Sequence, residues 1–217
     1  ALAGETASGE DIESIRKLYG FDRPMLVQYG DWLISALQFN FGESYYFRLP
    51  VSSLIVDRLG VTMTLGVCGI TFALLTAVPL GVAAAIRPNS IIDRVALFLS
   101  VAGQAMPSFW FGLILIVIFA IQLGWLPPSG ASTPAHFIMP TIVLGYYAMP
   151  AIMRLTRAGM LDVLSSDYIR TARAKGAPEG RVLFRHALRN AIIPVVSLAA
   201  VQMGFMLGGS IVVESIF

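Results

Sequence analysis

The side chains that most often carry out chemistry in proteins are few in this chain, and they do not cluster. The only histidines, His136 and His186, lie in different parts of the sequence, so no set of metal or haem ligands is indicated. Cys68 is the single cysteine and can form no internal disulfide. The sequence has no G-x-x-x-x-G-K-[ST] phosphate-binding loop and no evident pair of nucleophile and base. We therefore expect a chain that is not an enzyme and that carries no metal or other cofactor.

Three uncharged polar residues, Gln104, Ser108 and Gln202, lie in or beside long apolar stretches. They could line a pathway for a solute, or each could form a hydrogen bond with a neighbouring helix. Glu214 is the one acid at an apolar stretch, but a helix that begins near Ala191 would place it ~35 Å along, beyond a hydrocarbon core of ~30 Å. We therefore expect Glu214 at the outer interface of a membrane rather than in a proton relay.

Transmembrane helices are the elements that must position these residues. Of the 217 residues, 56% are hydrophobic and only 13% are charged, whereas a soluble domain has roughly a quarter of its residues charged. The net charge of +2 is too small to indicate a nucleic-acid partner. Four apolar stretches match the ~20 residues that a crossing requires: about residues 61–86, 108–123, 137–153 and 191–213. Pro107 is expected to separate a short helix from the second of these spans.

The distribution of arginine and lysine predicts the orientation, because short loops rich in these residues stay in the cytoplasm. Residues 87–94 and 154–190 carry such bases, whereas the loop 124–136 has none and is expected outside. Residues 1–60 then form an extracytoplasmic section, and residues 61–217 a transmembrane domain with a cytoplasmic loop at 154–190. Because residues 1–60 are expected outside and no signal peptide is visible, we expect a further span before this chain. The sequence stops directly after an apolar stretch, with no hydrophilic tail, so we also expect a continuation after it.

Local signals predict two helices in the extracytoplasmic section. Ser8 and Asp11 resemble a capping box that opens a short helix, which Gly20 would close. Pro24 suits the first turn of a second helix. One face of that helix would carry Leu26, Tyr29, Leu33 and Leu37. This apolar stripe could lie on a membrane surface or pack against the protein itself.

Small residues recur at spacings that let helices approach closely. Gly204 and Gly208 form a G-x-x-x-G pattern in the last apolar stretch, and Gly81 with Ala85 forms a looser version in the first. Packing within the chain and an interface with another subunit both explain such a pattern.

The cytoplasmic loop at 154–190 is longer than a helix connection needs and alternates basic with apolar residues. Gly176, Pro178 and Gly180 are expected to interrupt two helical pieces. The second piece carries apolar residues at helical spacing: Leu183, Phe184, Ala187 and Leu188. Exposed apolar residues in a basic helix indicate docking on another protein or on acidic lipid headgroups, and the sequence leaves both possible.

Residues 165–217 read SSDYIRTARAKGAPEGRVLFRHALRNAIIPVVSLAAVQMGFMLGGSIVVESIF. This stretch closely resembles the C-terminal part of bacterial ATP-binding-cassette importer permeases of the dipeptide/oligopeptide/nickel group. KLYGFDRPMLVQYGDWL, MPSFWFGLIL and LGWLPPSG extend the resemblance over most of the chain. It implies an all-α polytopic fold, the transmembrane domain of a type I importer, with four of about six helices in this chain.

In that family the cytoplasmic loop carries the motif E-A-A-x-x-x-G, which docks on an ATPase subunit. Aligned on Gly176, this chain has Arg170, Thr171 and Ala172 in place of Glu-Ala-Ala, so only the second alanine and the glycine match. Pro194, in R-H-A-L-R-N-A-I-I-P, resembles the variant of the peptide group instead. The resemblance implies an ATPase-subunit interface formed by Asp167, Arg170, Thr171, Ala172, Arg173, Ala174, Lys175, Gly176 and Arg181.

The resemblance also implies the function and the partners. The chain would be a permease subunit of a binding-protein-dependent importer in the bacterial inner membrane, carrying peptides or related small solutes. Its partners would be a second homologous permease, two cytoplasmic ATPase subunits, an extracytoplasmic solute-binding protein and the lipid bilayer. A carrier driven by an ion gradient is the alternative, but it would need charges within the spans, which are charge-free except near the doubtful Glu214. No residue decides which solute is carried.

Overall fold

The computed structural model describes Glu13, residues 20–44 and residues 46–217, with positions 103, 104 and 209 described by their backbone alone. The short helix expected between Ser8 and Gly20 therefore lies almost wholly outside the described residues. Contacts divide the chain into two compact units, Ala1–Gly60 and Val61–Phe217, and each is considered by itself.

The first unit contains helix α1, Met25–Leu37, which begins directly after Pro24. Proline suits this position because it has no backbone N–H that the first turn would leave without a partner. None of the residues of α1 is buried. The predicted apolar stripe is exposed throughout, at Leu26, Tyr29, Leu33 and Leu37. An isolated β-bridge between Glu43 and Pro50 closes the loop that leads into the next helix.

The remaining elements follow in chain order, and most belong to the second unit. They are α2 (Val51–Ile86), α3 (Ile91–Ala105), α4 (Ser108–Leu115), the π-helical segment π1 (Ile116–Gln122), α5 (Pro134–Leu164), α6 (Asp167–Ala174), α7 (Glu179–Arg181), the π-helical segment π2 (Val182–Ala187) and α8 (Leu188–Glu214). The break at Pro107 is confirmed, since α3 ends at Ala105 and Pro107 caps α4. The α-helical, π-helical and turn segments account for nearly all of the described residues of this unit.

Three helical stretches among the described residues are long and apolar enough to cross a membrane: Val51–Ile86, Pro134–Leu164 and Glu179–Gly208. The apolar helix Ser108–Gln122 is shorter. The span predicted at 108–123 therefore rests on a helix shorter than the other three. Helix α5 also runs on beyond the apolar stretch to Leu164, so the first part of the predicted cytoplasmic loop is helical.

Glycines allow α2 and α5 to approach closely. A Cβ atom added at Gly81 would lie 2.7 Å from the carbonyl oxygen of Met153 and 2.8 Å from the Cβ of Thr156. The Gly81 and Ala85 pattern thus serves packing within the chain. Gly204 and Gly208 differ, because a Cβ at either position would meet no described atom within 4 Å.

Candidate functional site

A cavity of about 690 Å³ lies between α4, α5 and α8. Its polar lining consists of Ser108 on α4, Tyr147 on α5 and Gln202 on α8, and its described lining carries no charged side chain. The apolar lining is formed by Val143, Leu144, Ala148, Ala151, Phe205, Met206 and Val213. Such walls can accept hydrogen bonds from, or donate them to, a solute that enters, but they offer it no ion pair.

Two of the three residues predicted to line a pathway, Ser108 and Gln202, are brought together in this cavity. The third, Gln104, lies in α3 one turn before Pro107, and its side chain is outside the described residues. Sequence reasoning missed Tyr147, which is 59% exposed and contributes a third hydroxyl or amide group to the lining. Its place among the polar groups depends on how α5 is rotated, which the local sequence does not specify.

The end of the predicted cytoplasmic loop, residues 167–190, forms a helix, a tight turn and a second helix. Helix α6 ends at Ala174, and Gly176 follows with a φ of 79°, a conformation that glycine adopts without steric cost. The backbone N–H of Gly176 donates to the carbonyl of Arg173 at 2.9 Å, and Pro178 caps α7. The expectation that Gly180 also interrupts the helix is wrong, because Gly180 lies inside α7 with an ordinary negative φ.

An ion pair spans this turn. Nη2 of Arg173 donates to Oε1 of Glu179 at 2.6 Å, and both side chains remain about half exposed. Arg170 forms a longer contact of 3.4 Å with Asp167, one turn earlier on α6. Arg173, which the family resemblance places in an interface with an ATPase subunit, is thus already paired within the chain. Lys175 and Arg181 form no ion pair with any residue that the structure describes.

The inner side of the segment is anchored in a buried cluster. Ile169 of α6 and Val182 of π2 are both fully buried. They pack in one cluster with Ala187, at the end of π2, and with residues from the ends of α2, α5 and α8: Val82, Ala85, Met160 and Ala191. We call this set the cytoplasmic cluster. It makes the turn a fixed extension of the three long helices.

The predicted interface residues divide between the two sides of this segment. Ala172 is half-buried against the cytoplasmic cluster, so it faces inward. The others are exposed: Asp167, Arg170, Thr171, Arg173, Ala174, Lys175, Gly176 and Arg181. They form one outward surface around the turn, which we call the turn surface.

A second polar contact, which sequence reasoning did not find, joins α3 to α5. Arg157 donates through Nε to Oδ1 of Asp93 at 2.6 Å and through Nη2 to Oδ2 at 2.7 Å. Next to this pair, Arg154 donates to the hydroxyl of Ser100 at 2.8 Å. Asp93 lies on α3, outside the three long apolar helices, and the hydrogen bonds from Arg157 hold its pKa below the ordinary value despite burial.

One feature of the sequence could have predicted this contact: the helix α5 continues beyond the apolar stretch, through Arg154 and Arg157. Arg154 and Arg157 were read as bases of a loop, yet three-residue spacing places them on one face of a helix that extends from residues 137–153. Their partners, Asp93 and Ser100, are buried on α3 and two turns apart.

Glu214 lies at the end of α8, where its Oε1 accepts a hydrogen bond of 2.8 Å from the hydroxyl of Thr62 on α2. The contact lies far along α2 and α8 from the cytoplasmic cluster, and a place at the outer interface of a membrane stays a prediction for Glu214. The two histidines are structural or isolated. His136 caps the first turn of α5 through Thr133 at 2.7 Å, and His186 lies in π2. Among the described residues, no group of His, Cys, Asp and Glu could hold a metal ion.

Comparisons with known proteins bear on what this arrangement does. Residues 77–217 match the family model of the binding-protein-dependent transport system inner membrane component. The chain is 43% identical over 216 residues to the glutathione transport system permease protein GsiC of Salmonella choleraesuis (strain SC-B67), covering 100% of this chain and 71% of that protein. GsiC of Escherichia coli (strain K12) is 41% identical over the same length and with the same coverage.

These findings confirm the resemblance to permeases of the dipeptide/oligopeptide/nickel group. The chain is a permease subunit of an ATP-driven importer, a multi-pass protein of the bacterial inner membrane and a transport component rather than an enzyme. An ATPase and a solute-binding protein are the partners that such an importer implies. The chain belongs to the family of inner membrane components of binding-protein-dependent transport systems.

Proposed function

We propose that the cavity between α4, α5 and α8 is this subunit's part of the translocation pathway, and that the turn surface couples it to an ATPase subunit. The observation that carries the proposal is the cytoplasmic cluster. Ile169 and Val182, on either side of the turn, pack with Met160 of α5 and Ala191 of α8. Since α5 and α8 also line the cavity, a displacement of the turn would be transmitted to two of its three walls.

The complete importer would contain a second homologous permease, two cytoplasmic ATPase subunits and an extracytoplasmic solute-binding protein. ATP binding draws the ATPase subunits together, and the turn surface follows the subunit on which it docks. The pathway then changes from inward-facing to outward-facing, because nucleotide binds one of the two states more tightly. Solute delivered from the binding protein enters the open cavity.

The cargo that we propose is a small peptide of the glutathione kind, since the related permeases belong to glutathione transport systems. A cavity of about 690 Å³ falls within the ~300–1,000 Å³ range of small-molecule sites. Amide groups of a peptide can form hydrogen bonds with Ser108, Tyr147 and Gln202. The described lining offers no ion pair to the charged groups of the peptide, so these groups would have to keep their water as the peptide passes.

Cysteine cross-linking to a co-expressed ATPase subunit tests the coupling role. The full-length permease carries Cys68→Ala together with Ala174→Cys, which places a thiol on the turn surface. We expect a cross-link whose yield changes when ATP is added. Ala172→Cys is the matched control, because that position is half-buried against the cytoplasmic cluster and should react far less. No cross-link from Ala174→Cys or Thr171→Cys, with both proteins well expressed, would show that the turn is not the docking element.

Filling the cavity tests the pathway role. Gln202→Phe should block uptake of labelled glutathione while leaving the cross-link from Ala174→Cys unchanged, since the turn is remote from Gln202 along α8. Gly204→Ala is the control on the same helix, because its Cβ would meet no described atom within 4 Å. Full uptake by both Gln202→Phe and Ser108→Phe would contradict a pathway through this cavity.

A further inference from the structure

Two arginines stand out on the segment formed by π2 and the start of α8. Arg185 and Arg189 lie about one turn apart and are both exposed. Neither guanidinium group forms a hydrogen bond or an ion pair with any residue that the structure describes. No acid occurs between residues 180 and 213, so the sequence offers these guanidinium groups no local carboxylate. Two unpaired cations on one face are available to an external partner.

The opposite face of the same segment is buried. Val182, Ala187, Ala191 and Val195 are at most 2% exposed and pack into the unit. Arg185 and Arg189 therefore project away from the bundle. The cavity residue Gln202 continues the buried side of α8, two turns beyond Val195. A solute in the cavity cannot reach the arginines.

The exposed face becomes apolar within one turn. Ile193, four residues after Arg189, is 64% exposed, and Val196 is 61% exposed. Residues four and seven positions apart share an α-helix face, so Arg189, Ile193 and Val196 form one outward strip of α8. Arg185, exposed in π2 directly before α8, extends this strip by its exposure rather than by α-helical spacing. The change occurs over about 6 Å along the helix axis, which matches the passage from lipid headgroups to hydrocarbon.

We propose that Arg185 and Arg189 bind the headgroup phosphate of an anionic phospholipid whose acyl chain lies along Ile193 and Val196. A guanidinium group is suited to phosphate because it donates parallel hydrogen bonds to two oxygens. Basic residues directly cytoplasmic of a membrane span are attracted to anionic lipids. A phospholipid matches both halves of the strip at once. An ATPase subunit in the cytoplasm could contact the arginines but would leave the apolar half to other lipids.

The assignment differs from that of the turn surface, where Arg173 is already paired and the exposed groups surround a tight turn. It does not depend on the coupling role of that turn. Arg181, four residues before Arg185, stays with the turn surface. The strip would hold this end of α8 at a constant depth in the membrane.

Lipid binding can be measured on the full-length permease purified with the ATPase subunits that accompany it. After delipidation in neutral detergent, the complex is titrated with phosphatidylglycerol, and bound lipid is counted by native mass spectrometry. Arg185→Gln with Arg189→Gln should weaken binding of the tightest phosphatidylglycerol roughly 30-fold, while phosphatidylcholine binding stays unchanged. Arg185→Lys with Arg189→Lys, which keeps the charges, should retain much of the affinity.

The matched control removes two other exposed bases from the cytoplasmic side, Arg87→Gln with Arg94→Gln. Its net charge equals that of the test variant, so a general charge effect would weaken both alike and overturn the proposal. Unchanged phosphatidylglycerol binding in the test variant would also overturn it. Loss of the ATPase subunits from the test variant, with lipid binding intact, would assign the arginines to a protein contact instead. The cross-link from Ala174→Cys reports the turn separately, so failure at the strip and failure at the turn are distinguishable.

Discussion

Two arginine–carboxylate pairs in this permease have the same shortest distance and different surroundings. Arg157 and Asp93 join α3 to α5 at 2.6 Å, with side-chain exposures of 22% and 3%. Arg173 and Glu179 span the cytoplasmic turn at 2.6 Å, with exposures of 43% and 56%. Water screens the second pair and can replace either partner, whereas removing one member of the first leaves a charge with little solvent. Distance alone therefore does not rank the two contacts.

The two pairs suit different tasks in the proposed coupling mechanism. Helix α3 leads through Pro107 into α4, a wall of the cavity, so the buried pair fixes that wall's connection to α5. The exposed pair lies on the turn surface, where a partner subunit can exchange its own acid for Glu179. The buried pair keeps α3 and α5 together, while the exposed pair can open. The turn could therefore bind and release an ATPase subunit without weakening the contact between these two helices.

Breaking the buried pair should give the largest effect. Asp93→Asn removes the carboxylate and leaves Arg157 without its partner, which is expected to lower the free energy of unfolding by about 3–5 kcal/mol. Denaturant titration of the full-length permease in detergent measures this loss. Asp162→Asn, an exposed change on α5, should have almost no effect. Equal stability of Asp93→Asn and the unsubstituted protein would show that the pair contributes nothing.

Low pH should remove the stabilisation by the Asp93–Arg157 pair from the unsubstituted protein. Hydrogen bonds from Arg157 lower the pKa of Asp93 in the folded state, whereas the unfolded chain has the ordinary value. The stabilisation is therefore complete above the ordinary aspartate pKa and is lost as the pH falls through the lowered one. Unfolding measured from neutral to acidic pH should show the difference from Asp93→Asn shrinking in that range. A difference that stays constant at every pH would mean that Asp93 does not titrate against Arg157.

The bidentate geometry of the buried pair should contribute a smaller share of the free energy of unfolding than the pair as a whole. Arg157→Lys keeps the positive charge but cannot donate two parallel hydrogen bonds to the carboxylate. We expect a loss of about 1.5–3 kcal/mol, the contribution of one hydrogen bond to a charged group. The same unfolding titration measures it. A loss as large as that of Asp93→Asn would show that lysine cannot reach Asp93 and that shape, rather than charge, maintains the contact.

Sequence reasoning succeeded where local physics decides the outcome. The break at Pro107 follows from the missing N–H of proline and the start of α1 from its fixed φ, while the turn at Gly176 follows from a φ that other residues adopt at a cost. Charge-free stretches indicated long helices because a bilayer core tolerates few charges. The family resemblance added the order of the motifs and the docking role expected of the cytoplasmic loop.

Sequence reasoning failed where the outcome depends on contacts between residues far apart in the chain. Asp93 and Arg157 are 64 positions apart, and their contact depends on how α3 lies against α5. Ala172 matched the family motif, but the rotation of α6 placed it inward against the cytoplasmic cluster. The π-helical segments also shift the faces that a period of ~3.6 residues would predict. Ser108 and Gln202 were singled out because polar groups are rare in apolar stretches, but only the fold shows that they share a cavity.

Breaking the exposed pair should have the smallest effect on stability and a separate effect on docking. Glu179→Gln removes the carboxylate that Arg173 contacts, but both side chains already meet water, so the unfolding titration should show no measurable change. Freed from its intramolecular partner, Arg173 becomes available to an acid of the ATPase subunit, and the cross-link from Ala174→Cys should form in higher yield. Asp167→Asn, which breaks the longer contact to Arg170, is the control and should change the yield less. A destabilisation comparable to that of Asp93→Asn would mean that the exposed pair is itself part of the bundle's framework, and the turn would then have no exchangeable contact to offer its partner.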